Sequence, residues 1–586
     1  MSRLFLLFGI LSLLLGAPFS VRANNMNRNP ALQNAVQIDA IVHQAGYDRP
    51  DTPGMSVIVI RDGKVLFKRA YGLADVEAGT PNTTGTTFRL ASISKQFTAM
   101  AILMLMERGR LRLDSHLSDF FPDFPEYGRE ITIRHLLTHT AGLPDYVALI
   151  PGGQKEQLSD QDALHLLEQQ KSGSFPPGTR FEYSNSGYVL LGLIVARASG
   201  EPFARFLQKN IFQPLQMSHT AVLERGQSNV KARAFGYSPK GDSFERTDQS
   251  VTSATQGDGC IYSSVEDMYR WDQALYTSKL VRKNTLKMAF TPAKFGDRQT
   301  SDYGFGWFIN YVRGFRQVWH GGGTLGFRSQ IVRMPDQKFT VIVLTNRNDS
   351  NPAGLASRIA RIYFPALTVP EPHRVKLAPA VLESYAGHYD VRGGVSTFTA
   401  REGRLFWTGI SAHPLELLPL SSDTFFYANA DINPERDWRL TFEKDAQGHM
   451  VRFVYHANEK VVFMAPYLGP LAHKLVSQLE PDPALTQQVK TILEAFALGG
   501  KAVEDAAGLT PGVRKDLSNT PLQNFAGLQS LTWLFTENVG DRGLERHGGK
   551  VDRVLTYRFV TDKATRYVLV YLTAGNLITD EDVVED

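Results

Sequence analysis

The sequence predicts an α+β protein: helices packed on an antiparallel sheet, then a small β-barrel, then a small α+β domain. Three observations carry this reading. Met55–Ile60 and Val65–Tyr71 read as strands joined at the tight-turn signal Asp62-Gly63. A second pair, Gln330–Met334 and Phe339–Thr345, flanks the turn Pro335-Asp336-Gln337. Between the pairs, helical stretches alternate with Gly/Pro-rich loops, and the longest apolar stretch runs from Ser92 to Arg108. A further helical pattern at 31–45 precedes the first strand.

A Pro-rich break at 365–379 (Pro365, Pro370, Pro372, Pro379) reads as a linker. Beyond it come closely spaced β-rich runs with little helix: Ser396–Thr399, Leu405–Thr408, Arg439–Phe442, Val451–His456 and Lys460–Ala465. That spacing predicts a small barrel or sandwich over 380–466. From 470 to 586 the pattern changes again. Leu485–Leu498 and Lys501–Ala507 read as helices; Val551–Val560, Tyr567–Leu572 and Asn576–Ile578 read as strands. No internal repeat of 20–50 residues is evident.

Composition bounds the function. The 586 residues are 43% hydrophobic and 21% charged, which excludes a disordered polymer, a collagen-like fibre and a coiled-coil rod. The length suits three domains: 30–365, 380–466 and 470–586. The formal charge is +4. Removing a leader that carries Arg3 and Arg22 leaves +2, so nothing demands nucleic acid or an anionic membrane surface as partner. The single cysteine, Cys260, cannot form an intramolecular disulfide. The start has the form of a secretory signal, residues 1–23. Arg3 precedes the apolar run 4–16, and Val21-Arg22-Ala23 offers a cleavage site near Ala23. The run is short for a bilayer span, and no stable membrane anchor is expected. Export to a bacterial periplasm or the exterior follows as the expectation.

Three short segments carry chemistry. In Ser92-Ile93-Ser94-Lys95, serine and lysine at i and i+3 share one face of a helix start. The lysine stands within reach of a hydroxyl that is a weak nucleophile until a base takes its proton. The helix N-terminus adds N–H groups suited to an oxyanion. In Tyr183-Ser184-Asn185, after Pro176-Pro177-Gly178, a tyrosine near a lysine is favoured as phenolate and could act as a base, while Asn185 could bind a substrate carbonyl or orient the lysine. In His320-Gly321-Gly322-Gly323, glycines admit close approach of a ligand and the histidine can hydrogen-bond or shuttle a proton. Each segment alone also has a plain reading: an N-cap serine, a buried tyrosine beside a turn, a glycine-rich hairpin.

Taken in order and spacing, the three segments resemble the serine β-lactamase and penicillin-binding-protein superfamily, and in detail its class C β-lactamase, D-aminopeptidase and esterase branch. The stretch ITIRHLLTHTAGLPDY at 131–146, YGFGW at 303–307 and HGGGTLGF at 320–327 share in the resemblance, which covers roughly 35–365. It implies Ser92 as the acylated nucleophile, with Lys95 and Tyr183 assisting and either one as the base. It implies Asn185, His320, Gly321 and Gly322 as substrate contacts, and the N–H groups of Ser92 and Gly323 as the oxyanion hole. His320 stands where many relatives carry the lysine of a Lys-Thr-Gly triplet. A histidine is neutral through much of the physiological range, which lowers the expectation of efficient β-lactam hydrolysis.

Arg328 reads either as a carboxylate ligand or as a solvated strand charge. His135 and His139 read as structural, and Gly257-Asp258-Gly259-Cys260 as a loop on the cleft wall. No zinc motif, EF-hand, P-loop or Gly-x-Ser-x-Gly elbow is present, so no metal or cofactor is implied. Tyr385-Ala386-Gly387-His388-Tyr389 resembles the start of the lipocalin-like domains that follow some of these hydrolases. The expected activity is that of an exported serine hydrolase acting through an acyl-enzyme on small amides or peptides, D-amino-acid peptides among them. The alternatives are an esterase or β-lactamase on the same fold, or a non-catalytic binding protein.

Overall fold

The computed structural model describes residues 30–226, 230–296, 299–368, 373–391, 394–408, 414–427, 438–457, 460–476, 479–517, 522–547 and 549–584. The leader expected over 1–23 lies outside them. The chain divides into two compact units, with the division between Pro365 and Ala366.

The first unit is built on a six-stranded antiparallel sheet. Its strands are β1 (Met55–Arg61), β2 (Lys64–Tyr71), β3 (Phe308–Val312), β4 (Phe315–Thr324), β5 (Phe327–Met334) and β6 (Phe339–Thr345), in the order β3-β4-β5-β6-β1-β2. The two strand pairs read from the sequence thus meet in one sheet, with β1 pairing β6 from Met55↔Thr345 to Arg61↔Phe339. The seven residues of β6, FTVIVLT, are all buried, as are the first six of β1, MSVIVI. A strand buried at every position needs cover on both faces. Helices Pro352–Tyr363 and Val265–Ala274 both pack on β6, and the latter also on β1.

The helices of this unit include α1 (Pro30–Val42), α2 (Lys95–Glu107), α3 (Ile133–Leu137), α4 (Asp160–Glu168) and α5 (Asn185–Ser199). Every residue of α2 from Lys95 to Leu105 is buried. Its sequence, KQFTAMAILMLME, has no polar stripe wide enough to face water, so it forms the centre of the core. α5 packs on α2 and is nearly as buried; it ends at Gly200, whose φ of 73° gives the left-handed close.

One buried ion pair ties helix to sheet. Arg333 on β5 donates from Nε to Asp272 Oδ1 at 2.6 Å, and Thr340 on β6 donates to the same oxygen at 2.8 Å. Both charged side chains are 1% exposed.

The second unit holds a closed eight-stranded barrel from Gly387–Val391 to Lys460–Gly469, filled by aromatic side chains. Phe398 meets Trp407 stacked at 5.5 Å, and meets Tyr389 and Phe453 edge-to-face at 5.0 and 5.2 Å. A four-stranded antiparallel sheet comes next, in the order Leu528–Asn538, Arg553–Thr561, Thr565–Leu572 and Ile578–Val584, and helix Pro483–Leu498 shares its core. The α+β layout with its barrel is as expected from the sequence.

Details differ. The helix expected over Lys501–Ala507 stops at Asp505, where Ala506 turns to an extended ψ of 125°. The last strand begins at Ile578, because Asn576 (φ 60°) occupies the turn in which its N–H donates to Thr573 O. The strands Leu415–Pro419, Thr424–Tyr427 and Leu528–Asn538 are additional to those the sequence predicts.

Replacing Arg333 with leucine leaves Asp272 charged and unpaired in the core. We expect a loss of about 3–5 kcal/mol in urea unfolding, and partial recovery when Asp272 is also made leucine. Equal stability of the two variants would contradict this role for the pair.

Candidate active site

The residues before α2 do not continue the helix backwards. Ala91–Ser94 form a 3-10 turn, so Ser92 stands one tight turn ahead of the α-helix rather than within it. At about three residues per turn, Ser92 and Lys95 eclipse one another. Ala91 has φ 48°, a left-handed conformation that costs a non-glycine residue on the order of 1 kcal/mol. The turn is held from both sides. Leu90 N–H donates to Ile261 O at 2.8 Å. On the other side β4 passes so close that a Cβ on Gly322 would lie 2.0 Å from Leu90 O. Gly322 is therefore a packing requirement of the Ser92 turn.

Lys95 is fully buried. Its Nζ donates to Ser92 Oγ at 3.1 Å, to Asn185 Oδ1 at 2.9 Å and to the backbone oxygen of Asp258 at 3.1 Å. An ammonium has three protons, and all three are used. Burying the charge costs several kcal/mol, while charge-assisted bonds return about 1.5–3 kcal/mol each, so removing any one acceptor matters. The same nitrogen lies 5.1 Å from the ring centroid of Tyr183 and 5.6 Å from that of Tyr188.

Asn185 is the first residue of α5. Its Nδ2 donates to Asp145 Oδ2 at 3.2 Å, and its backbone N–H donates to the same oxygen at 2.9 Å. Asp145 Oδ1 accepts from Val147 N–H at 3.0 Å. Ser186, next on α5, accepts from Tyr146 N–H and donates to Pro144 O, each at 2.7 Å. Gly257–Cys260, read from the sequence as a loop, falls largely in a short helix, Gln256–Gly259. It presses against α5 where a Cβ on Gly257 would meet Tyr188 O at 2.0 Å, and so delivers the Asp258 carbonyl to Lys95. The Asp258 carboxyl accepts from Tyr146 Oη at 3.1 Å; burial raises its pKa, opposed by the charge of Lys95. Asp160, whose Oδ1 accepts from Gln256 N–H, is pushed up to about 8 by burial.

His320 lies within strand β4, and the hairpin turn comes after it. Its ring is 2% exposed. Nδ1 faces Gly321 O at 2.6 Å, so that nitrogen carries the proton and Nε2 accepts from Tyr303 Oη at 3.0 Å. Burial first, and Lys95 second, lower its pKa to about 3. His139 (φ 56°) accepts the Ser184 N–H on Nδ1 and lies 4.2 Å from the Tyr183 ring; burial holds it well below the ordinary histidine range. With Tyr303 and Phe308 these rings form an aromatic wall behind Tyr183. His135, by contrast, caps α3 by accepting from Thr132 N–H. Cys260 is buried, and burial raises its thiol far above the ordinary range.

A small cavity of about 90 Å³ is lined by Ser92, Asn185, Asp258 and Gly323, with Arg89 and Tyr146. The structure thus gathers Ser92, Lys95, Tyr183 and Asn185 in one cluster and puts Gly323 beside Ser92. Gly321 turns its carbonyl to His320. Arg328 donates from Nη1 to Thr324 O and Phe327 O at 2.6 and 2.8 Å, closing its own hairpin. The sequence alone does not single out Asp145 or Tyr303; the signal lies in the 131–146 and 303–307 stretches, whose roles only the geometry displays. Among the described residues no group of three or more His, Cys, Asp or Glu is placed to hold a metal, and no helix is long and apolar enough to cross a membrane.

This sheet-and-helix core with its Ser–Lys cluster is that of a serine hydrolase. A family model described as Beta-lactamase matches residues 38–363, and the chain belongs to that family of β-lactamase and penicillin-binding-protein-like enzymes. It is 32% identical over 430 residues to "Penicillin-binding protein 4*" of Bacillus subtilis (strain 168), covering 70% of this chain and 94% of that one. It is 30% identical over 348 residues to a D-aminopeptidase of Gluconobacter oxydans (strain 621H), covering 59% of this chain and 64% of the relative's length. Among solved structures, an octameric penicillin-binding protein homologue from Pyrococcus abyssi aligns with TM-score 0.53 at 23% identity, over 73% of this chain and 99% of that one, a likeness of fold.

A folded-state pKa near 3 for His320 fixes a pH dependence. Below its unfolded value of about 6.5 the unfolded chain binds a proton that the folded chain does not, so stability falls as pH drops from about 6.5 towards 3. We expect the urea midpoint to fall between pH 7 and pH 4.5, and to fall less in His320→Gln. An equal fall in both proteins would place the effect elsewhere.

Proposed function

We propose that this enzyme is an exported hydrolase of small amides and peptides that contain a D-amino acid, with Ser92 as nucleophile. The observation that carries the reading is the buried Lys95 ammonium on Ser92 Oγ, locked by Asn185 and Asp258 with the Tyr183 ring beside it. In the proposed cycle Ser92 Oγ attacks the substrate carbonyl carbon, and the hydroxyl proton passes to the Lys95–Tyr183 pair, which enters the cycle one proton short; Lys95 already carries three protons, so the acceptor is the Tyr183 oxygen. The oxyanion is met by the N–H groups of Ser92 and Gly323. The carbon–nitrogen bond breaks as the pair returns the proton to the leaving amine. Water then gives a proton to the same pair and hydrolyses the acyl ester, restoring Ser92.

The D-amino-acid preference is supported by the relative named as a D-aminopeptidase. His320, neutral at physiological pH, offers no cation to a substrate carboxylate, which weighs against a β-lactamase. Export rests on the form of residues 1–23.

Wild type and Ser92→Ala, assayed on D-alanyl p-nitroanilide, its L isomer, a p-nitrophenyl ester and a chromogenic cephalosporin, test this reading. We expect kcat/KM on the D-anilide to exceed that on the L isomer, and to fall by at least about 10³-fold in Ser92→Ala. Ester turnover with no D-anilide turnover would make the protein an esterase. Activity that survives in Ser92→Ala would remove Ser92 as nucleophile.

A further inference from the structure

We propose that Asp145 is a positioning residue of the reaction, acting through Asn185 on Lys95. The inference rests on the proposed function, in which Ser92 is the nucleophile and Lys95 its partner. Its basis is a three-membered polar chain running from a carboxylate through an amide to an ammonium.

The ends of the chain are chemically one-sided. A carboxylate only accepts hydrogen bonds and an ammonium only donates them. The amide between them satisfies both in a single orientation, Oδ1 towards Lys95 at 2.9 Å and Nδ2 towards Asp145 at 3.2 Å. A lone asparagine beside a substrate carbonyl would have two orientations of similar energy. With Asp145 present it has one, and its amide donor stays turned away from Lys95.

The carboxylate is itself fixed by backbone rather than by flexible side chains. Oδ2 accepts from Asn185 N–H at 2.9 Å and Oδ1 from Val147 N–H at 3.0 Å. The first of these is an unpaired N–H at the start of the 15-residue helix α5, where the helix dipole favours a negative charge. Asp145 thus carries the position of the α5 backbone to the Asn185 side chain. Asn185 in turn sets one of the three bonds that hold Lys95 Nζ 3.1 Å from Ser92 Oγ. A shift of about 1 Å in such a group is worth roughly 10²-fold in rate.

A second role competes with this one. The bond to Val147 N–H also caps the short helix Tyr146–Leu149, so loss of Asp145 could act by loosening that segment alone. A double-mutant cycle separates the two. kcat/KM on a p-nitrophenyl ester is measured for wild type, Asp145→Ala, Asn185→Ala and the double variant, with thermal unfolding of each recorded alongside. If Asp145 works through Asn185, Asp145→Ala lowers kcat/KM by about 10–100-fold in the wild-type background and by less than about 3-fold once Asn185 is alanine. Losses that multiply in the double variant overturn the proposal, because they mean that Asp145 acts independently of Asn185. A wild-type rate in Asp145→Ala overturns it as well. Should Asp145→Ala fail to fold, Asp145→Ser takes its place in the cycle. Its single hydroxyl oxygen can still accept from Val147 N–H but leaves Asn185 Nδ2 without its acceptor, and the same two criteria apply. Ser92→Ala is run in parallel. If it keeps the wild-type rate, the reading of the site has failed, and that result is distinguishable from a multiplicative cycle in an enzyme that depends on Ser92.

Discussion

One buried positive charge organises the catalytic unit. Lys95 has no exposed surface, and its three protons meet three acceptors drawn from separate parts of the chain. An ammonium in that setting is tolerated only while every proton is matched. The features around it serve that condition: the 3-10 turn that brings Ser92 over Lys95, the start of α5 that presents Asn185, and the glycine contact that lets Asp258 offer its carbonyl.

The two imidazoles near that charge are kept neutral. His320 and His139 are both buried and both held neutral, each partly by Lys95 itself. Aromatic rings fill the remaining wall, and the Tyr183 ring lies 5.1 Å from the cation and 4.2 Å from the imidazole of His139. An aromatic face attracts a cation without a counter-charge.

Much of this is legible in the sequence, for local reasons. Ser-x-x-Lys can be read because its geometry depends on four consecutive residues. His320 can be read because the glycines after it mark a strand with something close against it. The strand pairs of the sheet declare themselves through β-branched apolar segments and the turn residues between them. What stays hidden acts through backbone atoms or through an intermediary. The Asp258 contact with Lys95 is a carbonyl, which any residue type would supply. Asp145 touches neither Ser92 nor Lys95 by a hydrogen bond and works at one remove. In the second unit, Leu528–Asn538 escapes because bulges near Ser530 and Trp533 break its two-residue period. Leu415–Pro419 escapes because it is short, half-buried and ends in proline.

The partners of Lys95 also bear on when the enzyme becomes one. Its acceptors lie 3, 90 and 163 residues away along the chain. Contacts at such separations close large loops and form slowly compared with helices and hairpins. A nascent or refolding chain can therefore hold its helices well before Asn185 and Asp258 arrive. Until they do, the lysine has every reason to remain in water. The contact between Lys95 and Ser92 is thus completed only when distant parts of the chain have come together, and an unfinished chain carries its serine without the matched lysine beside it.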